Sequence, residues 1–177
     1  CLVGSEMCIR DSKKAIEAGI PAEKIVFSGI GKNENEIRYA IANNCFQINV
    51  QSLAELKKIN QIAKDLGKVQ NIGIRINPDV QSDTHEKITT GSLENKFGIS
   101  VNETLDIFNR INEFSSLSIT AIAFHIGSNI KDLSPFKHSF EVAKHLIDKI
   151  QLNYETLKTV DVGGCLLYTS DAADDWS

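Results

Sequence analysis

The feature that most constrains the fold is a regular alternation of short strand-like runs and helix-like segments. Apolar, β-branched runs occupy residues 24–27, 46–50, 72–76, 119–124 and 160–162. Between them, apolar residues recur at the three- and four-residue spacing of an amphipathic helix. Consecutive parallel strands need a long crossover, which is usually a helix. The alternation therefore predicts an α/β fold with a helix-covered parallel sheet, either an open doubly wound sheet or a closed barrel.

Several helix starts are marked by side chains that can cap the first turn. Asn33 and Ser52 are each followed three residues later by a glutamate, which is the spacing of a capping box. Asn102 is expected to open a later helix, and Ser134 with Pro135 forms another favoured start. The inward-facing positions predicted from helical spacing are Ile37, Ala40, Ile41, Leu56, Ile59, Ala63, Leu66, Leu105, Phe108, Ile111, Phe136, Phe140, Ala143, Ile147 and Ile150. The acidic residues Glu34, Glu36, Glu55 and Glu94 are interpreted as capping or solvated charges.

Composition narrows the class of protein. Of 177 residues, 42% are hydrophobic and 24% are charged, which is typical of a soluble globular domain. The net charge of −4 argues against a nucleic-acid partner. No apolar run approaches the roughly 20 residues that a membrane-spanning helix needs. The four cysteines lack the paired spacing of a metal site, so we expect a reduced, cytoplasmic protein without a metal centre.

The two ends differ from the middle of the chain. Residues 1–11 and 165–177 carry no periodicity that fits the rest, and both resemble translated sequencing-adapter sequence. We predict that they are non-native flanks and that the natural domain spans residues 12–164. The alternative is that they are genuine termini that fray.

Candidate ligand-binding groups follow the last two predicted strands. The fourth strand ends at His125, followed by Gly127 and Ser128, and the fifth ends at Gly163 and Gly164. Ligands of parallel α/β folds bind at the carboxyl ends of the strands. A flat ring, a hydroxyl and glycine amides at that edge suit a flat, phosphorylated cofactor. A lone histidine is nevertheless often a hydrogen-bonded core residue, and two glycines also make an ordinary turn.

Arg75 is a charged residue within a strand that should be buried. Buried arginine usually has a partner, which here could be a carboxylate, a phosphate or a polar barrel interior. Alternatively, its side chain points outward at an edge. A long polar loop follows over residues 79–98, and loops of that length in compact domains are often functional.

Three segments together resemble the diaminopimelate decarboxylase family. Residues 75–99 (RINPDVQSDTHEKITTGSLENKFGI) carry its Arg-x-Asn-Pro strand end, its Thr-His-x-x-Ile-x-Thr-Gly run and its Lys-Phe-Gly. Residues 124–130 (FHIGSNI) resemble its His-Ile-Gly-Ser-Gln segment, with Asn129 in place of glutamine. Residues 160–164 (VDVGG) resemble the start of its Asp-Leu-Gly-Gly-Gly motif, although Cys165 stands where the third glycine would be.

The resemblance implies an incomplete (β/α)8 barrel of the alanine-racemase and ornithine-decarboxylase type, with about five of eight strands within residues 12–164. It implies pyridoxal 5′-phosphate (PLP) as cofactor and decarboxylation of meso-2,6-diaminopimelate to L-lysine. His125 matches the residue that stacks on the cofactor ring. Ser128, Gly163 and Gly164 match phosphate ligands, and Arg75 matches a residue near the cofactor. Lys96 matches a residue near the interface of a homodimer.

The same resemblance implies parts that this chain does not contain. The Schiff-base lysine would lie upstream of residue 12, and the last barrel strands and a carboxy-terminal β-domain would follow residue 164. No catalytic residue is therefore expected here, and the chain alone is expected to be inactive. Two alternatives are another PLP decarboxylase of this fold, acting on ornithine, arginine or carboxynorspermidine, and a non-catalytic PLP-binding barrel. The segment at 84–98 argues against the first, and the long loop at 79–98, which such non-catalytic proteins lack, argues against the second. A third is a phosphate-binding barrel with an unrelated substrate.

Overall fold

The computed structural model describes the backbone of residues 9–77, 98–125, 128–130, 134–151, 156–163 and 165–166. Strands and helices alternate as the sequence pattern predicts. The helices are α1 (Ile9–Glu17), α2 (Glu34–Ala42), α3 (Leu53–Asp65), α4 (Val101–Asn109) and α5 (Ser134–Gln151). The strands are β1 (Val26–Phe27), β2 (Gln47–Val50), β3 (Gln70–Arg75), β4 (Leu117–Ala123), β5 (Ser128–Ile130), β6 (Thr159–Asp161) and β7 (Cys165–Leu166). Short 3₁₀ helices occupy Ala22–Lys24 and Ile111–Glu113.

The main sheet has five strands in the order β1-β2-β3-β4-β6, and every pair is parallel. Strand order thus follows chain order without reversal, whereas a doubly wound sheet reverses at a switch point. With right-handed crossovers, this order places all the connecting helices on one face of the sheet. Of the two folds that the pattern left open, the structure therefore shows the barrel type, as an incomplete barrel.

The core lies between the convex face of the sheet and its helices. Register pairs Ile48 with Ile72 and Ile74 with Ile122, and all four side chains are fully buried. The helices contribute a matching set of fully buried side chains: Ile37, Ala40, Ile41, Leu56, Ile59 and Ala63. Each of these larger aliphatic side chains stabilises the fold by about 1.5–3 kcal/mol relative to exposure. The positions predicted to face inward on α2 and on most of α3 are thereby confirmed.

Helix capping follows the sequence with two exceptions. Asn33 and Glu36 form the expected reciprocal capping box. The Ser52 hydroxyl caps α3, but the Glu55 carboxylate accepts from the backbone N–H of Gln51 rather than from that of Ser52, so the second predicted capping box is only half formed. The prediction that Asn102 opens α4 is wrong, because the structure places the N-cap at Ser100. The Ser100 hydroxyl accepts from the backbone N–H of Glu103 at 3.2 Å, and the Glu103 carboxylate accepts in return. The buried residues of α4 are Thr104, Ile107 and Phe108, so Phe108 faces inward as predicted, whereas Leu105 and Ile111 are half-buried.

The inward face of α5 also differs in part from the prediction. Ala143 and Ile150 are buried as predicted, and Phe136 and Ile147 are half-buried. Phe140 is 47% exposed, however, and Leu146 is fully buried instead. The ring of Phe140 contacts the buried ring of Phe124 edge to face, with centroids 5.7 Å apart. Phe140 therefore lies at the border of the interface rather than within it.

A small second sheet was not predicted. Strands β5 and β7 pair in parallel, with Ser128 opposite Cys165 and Ile130 opposite Leu166. Strand β7 and the first three residues of α1 fall within the segments interpreted as non-native flanks, whose origin stays a prediction. Among the described residues, no helix combines the length and apolar character needed to cross a membrane.

Cys45 provides a test of burial that depends on pH. Its thiol is free and buried, and burial raises its pKa to about 11. At pH 8 an ordinary cysteine is about one quarter thiolate, whereas a group with that raised pKa is about one thousandth thiolate. We expect iodoacetamide to modify Cys45 roughly 100-fold more slowly in the folded chain than in urea. Mass spectrometry of the peptide that contains Cys45 measures this; equal rates would contradict the buried position.

Candidate functional site

The concave face of the sheet carries polar side chains on β2 and β6, with the small residues Gly73, Ala121 and Ala123 between them. Side chains alternate across a strand, and the register places Asn49 beside Gly73, Gly73 beside Ala121, and Ala123 beside Asp161. The described residues that share this face include Gln47, Asn49, Gly73, Arg75, Ala121, Ala123 and Asp161. The small residues of β3 and β4 leave space in which polar side chains from β2 and β6 can meet.

A chain of hydrogen bonds crosses that space. Gln47 Nε2 donates to Asn49 Oδ1 at 2.7 Å, and Asn49 Nδ2 donates to Asp161 Oδ2 at 2.8 Å. A Cβ atom on Gly73 would collide with Asn49 Oδ1 and lie 2.7 Å from Gln47 Nε2. Strands β3 and β4 separate β2 from β6 in the sheet. A direct bond between Asn49 and Asp161 is possible because the sheet curves strongly, as in a barrel.

The two strand tips singled out in the sequence lie against each other. A Cβ atom on Gly163 would collide with the carbonyl oxygen of Phe124 and lie 3.1 Å from Nδ1 of His125. Gly163 has a φ of +49°, which side-chain-bearing residues rarely adopt. His125 is half-buried at this junction. The segment after β4 and the turn after β6 thus form one continuous surface at the carboxyl edge of the sheet.

The amide of Gly163 is used within the protein. Its N–H donates to Asp161 Oδ1 at 3.1 Å. This differs from the expectation of a bare amide available to a phosphate. The physical reason is that a carboxylate two residues earlier in the chain can reach back to the turn. What Gly163 offers a ligand is close approach of the backbone rather than its N–H.

Arg75 lies on the concave face, two residues beyond Gly73. Its side chain is half-buried, and its Nε is buried without a hydrogen-bond partner among the described residues. This placement agrees with the inward alternative, a polar barrel interior, and excludes the outward one. An unpaired buried donor on a cation is costly, so this atom marks a position where an anion or acceptor would be stabilised.

Sequence reasoning missed Lys32, which lies after β1 and is buried. Its Nζ donates to the carbonyl oxygens of Gly29 and Asn49 at 2.5 and 2.7 Å, and to Glu55 Oε1 at 2.9 Å. Burial lowers the pKa of Lys32, and Glu55 opposes that effect. Glu55 Oε2 also accepts from the backbone N–H of Gln51 at 2.8 Å, just before the N-cap of α3. Glu55 therefore has a capping role and is in addition the partner of a buried cation; it is not a solvated charge. A lysine directly before an N-cap, at a strand end, was the available signal.

The remaining site predictions are described only in part. Ser128 begins β5, where its backbone pairs with Cys165 of β7, so the segments that follow both strand tips also lie side by side. The side chain of Ser128, together with Gly164 and Lys96, lies outside the described residues. The long loop likewise lies outside, except for its last residue, Gly98. Directly after it, Ile99 N–H donates to the Arg75 carbonyl at 2.8 Å, which returns the chain to the tip of β3.

Two cavities lie near the segments that follow β1 and β2. One of about 520 Å³ is lined by Ile30, Lys32, Gln51, Glu55, Lys58 and Gly98. Another of about 260 Å³ lies between α3 and α4, and Gln51 lines it too. Neither cavity includes His125 or Gly163. The side-chain amide atoms of Gln51 are buried without partners among the described residues. Both cavities border Gly98, where the long loop ends.

Comparison with known proteins identifies the family. The model of the pyridoxal-binding domain of pyridoxal-dependent decarboxylases matches residues 9–176. Diaminopimelate decarboxylase of Zymomonas mobilis is 41% identical over 154 residues, which cover 87% of this chain and 37% of the relative. The Helicobacter pylori enzyme is 43% identical over 157 residues, with 88% and 38% covered. The chain thus spans about two fifths of the length of these relatives.

Solved structures support the fold. A protein of Aquifex aeolicus superposes with a TM-score of 0.80 at 31% identity, covering 95% of this chain and 38% of that one. Diaminopimelate decarboxylase of M. jannaschii in complex with L-lysine gives 0.79 at 32% identity, with 93% and 39% covered. Lysine/ornithine decarboxylase of Vibrio vulnificus gives 0.71 at 22% identity, with 91% and 39% covered, and shows the fold alone.

These likenesses confirm the expected architecture. The five parallel strands with their helices form an incomplete (β/α)8 barrel of the alanine-racemase and ornithine-decarboxylase type. The matched range includes parts of both predicted flanks and does not decide their origin. The convergent tips at His125 and Gly163 lie at the strand edge where barrel enzymes bind their ligands. The chain belongs to the family of pyridoxal-dependent decarboxylases and carries residues of its pyridoxal-binding domain.

Proposed function

We propose that this chain is the cofactor-binding part of a diaminopimelate decarboxylase. The proposed reaction removes carbon dioxide from meso-2,6-diaminopimelate and yields L-lysine. Relatives bearing that name are about 40% identical over most of the chain, and solved relatives hold L-lysine. The observation that carries the proposal is the meeting of His125 with the turn at Gly163 at the carboxyl edge of the sheet.

The residues present fit pyridoxal 5′-phosphate. Gly163 packs so closely on Phe124 and His125 that any side chain there would obstruct the junction. Arg75 presents a buried Nε without a partner among the described residues, which suits an anionic group. We propose that His125 contacts the cofactor ring and that Ser128 and Gly164 join Gly163 around the phosphate. When bound, the cofactor supplies a ring that accepts the electron pair left behind as carbon dioxide departs.

The protein groups have positioning roles in this proposal. His125 would hold a flat ring in one orientation and exclude water from that face. Arg75 would place a positive charge near the cofactor, where it would stabilise nearby anionic groups. Lys96 is proposed to lie near a homodimer interface, and the substrate is a small amino acid rather than a nucleic acid or a membrane lipid. The free thiol of Cys45 agrees with the reducing cytoplasm that we propose as its location.

A hybrid enzyme tests the proposal. In this hybrid, residues 12–164 replace the equivalent segment of the Zymomonas mobilis diaminopimelate decarboxylase, which is 41% identical to this chain. We expect the hybrid to bind PLP and to let a strain that lacks diaminopimelate decarboxylase grow without added lysine. We also expect at least about a 100-fold preference in kcat/KM for meso-diaminopimelate over ornithine or arginine. A preference for ornithine or arginine would support the alternative, and a folded hybrid that binds no PLP would refute the assignment.

A matched pair of histidine variants shows whether the site lies where we propose. His125→Ala in the hybrid is expected to lower kcat/KM by about 100-fold, because a loosened cofactor no longer aligns the breaking bond. His145 is exposed on α5, away from the junction, and His145→Ala should leave activity within about 2-fold. Equal effects of the two substitutions would contradict the role of His125.

A further inference from the structure

We propose that Asn49 and Asp161 form a positioning pair that holds the glycine turn after β6 ready for the cofactor phosphate. The inference rests on the proposed function and extends it to two residues that the sequence motifs left without a role. Neither residue is proposed to touch the reacting atoms. Their effect would be exerted through the backbone of Gly163.

Asp161 is held at both of its carboxylate oxygens. Its Oδ1 accepts from the backbone N–H of Gly163 at 3.1 Å, and its Oδ2 accepts from Asn49 Nδ2 at 2.8 Å. These two bonds fix the rotation of the carboxylate, so Oδ1 stays oriented toward the N–H of Gly163. A glycine backbone is otherwise free to adopt many conformations, and ordering it costs entropy before any ligand arrives. The carboxylate selects the conformation with φ of +49° in advance.

Asn49 is itself immobilised. It is fully buried, its Oδ1 accepts from Gln47 Nε2 at 2.7 Å, and its carbonyl oxygen accepts from Lys32 Nζ at 2.7 Å. Asn49 belongs to β2, which pairs with a strand on each side and is therefore held rigidly. Through Asp161, Asn49 restrains the turn that follows β6, the last strand of the sheet. Turns anchored to strands hold ligand groups more accurately than turns supported only by their own loop.

The chemistry of the bonds gives them a direction. Gln47 donates to Asn49, and Asn49 donates to Asp161, so every donor points toward the carboxylate. The space that the chain needs is supplied by Gly73, whose Cβ would obstruct both amides. A pair that served only to close the barrel would need no contact with the turn. The bond from Gly163 to Asp161 is what connects it to the proposed phosphate site.

The test compares two ligands that differ only in the phosphate. Asp161→Asn in the hybrid places an amide where a carboxylate accepted two bonds, so one of them is lost whichever way the amide turns. We expect PLP affinity to fall about 30-fold, while pyridoxal, which lacks the phosphate, loses less than about 3-fold. Equilibrium titration followed by absorbance measures both dissociation constants. The exposed Asp148 on α5 supplies the matched control, Asp148→Asn, which should change neither.

An exchange of the two side chains provides the rescue. When Asn49→Asp is combined with Asp161→Asn, the amide introduced at position 161 can donate to the carboxylate introduced at position 49. That amide can still accept from Gly163, and the net charge is unchanged. We expect PLP affinity to return to within about 3-fold of the parent hybrid. Asn49→Ala removes one support and leaves Asp161 bonded to Gly163. It should cause a smaller but still phosphate-selective loss of about 5-fold, and it decides the matter where Asp161→Asn fails to fold.

The outcomes separate this inference from the proposed function. If the variants weaken PLP and pyridoxal equally, or if the exchange binds PLP no better than Asp161→Asn, the pair has only a structural role and the inference is wrong. A parent hybrid that fails to bind PLP refutes the proposed function instead. A parent hybrid that decarboxylates diaminopimelate, with all variants binding PLP normally, refutes only the positioning role.

Discussion

Replacing Lys32 with methionine is expected to lower the free energy of unfolding by about 3–5 kcal/mol, because it removes one partner of a buried ion pair. The Lys32 side chain is 1% exposed and that of Glu55 is 14% exposed. Methionine fills similar space but leaves the Glu55 carboxylate without its cation. It also leaves the Gly29 and Asn49 carbonyl oxygens without their donor. Urea unfolding of the 177-residue chain, followed by circular dichroism, measures the change.

Two further variants separate burial from charge. Arg38 and Glu34 form an ion pair at a similar distance, 3.1 Å, but their side chains are 40% and 60% exposed. Arg38→Met should therefore cost less than about 0.5 kcal/mol. Replacing Lys32 and Glu55 together by methionine should cost less than Lys32→Met alone, since no charge is left unpaired. A Lys32→Met chain within about 1 kcal/mol of the parent would contradict the buried pair.

Replacing Gly73 with valine is the second large effect, expected at about 3 kcal/mol. The first added carbon already collides with Asn49 Oδ1 and lies 2.7 Å from Gln47 Nε2. Both amides are buried, so they have little room to move. The substitution should therefore break the hydrogen bonds that cross the concave face, in addition to straining the sheet. The same urea unfolding experiment measures the loss.

A second-site change tests the cause. Asn49→Ala removes the side chain that the valine would strike, so Asn49→Ala with Gly73→Val should cost clearly less than the sum of the two single substitutions. Gly67→Ala serves as the glycine control, because nothing lies within 4 Å of its Cβ position and only its φ of +62° opposes a side chain. That control should cost about 1 kcal/mol. Additive costs for Asn49 and Gly73 would mean that the two residues do not share this space.

Local structure was largely predictable because local interactions create it. The capping box at Asn33 and the stripe at Leu56 and Ile59 depend on residues within four positions of each other. At α4 the helix start is set by the capping box of Ser100 and Glu103 rather than by Asn102, which has no glutamate three residues later. Phe140 has the right spacing for the core of α5 yet lies at its border, because exposure depends on what packs opposite.

The candidate site was predictable only as a set of strand ends. His125 and Gly163 could be named from apolar runs that stop at a ring and at a glycine. That Asp161 would bond to Asn49 could not, because 112 positions separate these two residues in the chain. The same holds for Lys32 and Glu55, which are 23 positions apart.

Periodicity, caps and turn residues are short-range properties, and they suffice to specify the alternating strands and helices and the edge of the sheet at which we propose that a ligand binds. Barrel curvature, the path of hydrogen bonds over Gly73 and the pairing of a buried lysine arise when distant segments meet. Hydrogen bonds and ion pairs across such distances depend on angles between strands that no local pattern encodes. The tertiary structure therefore decides which residues form these long-range hydrogen bonds and ion pairs.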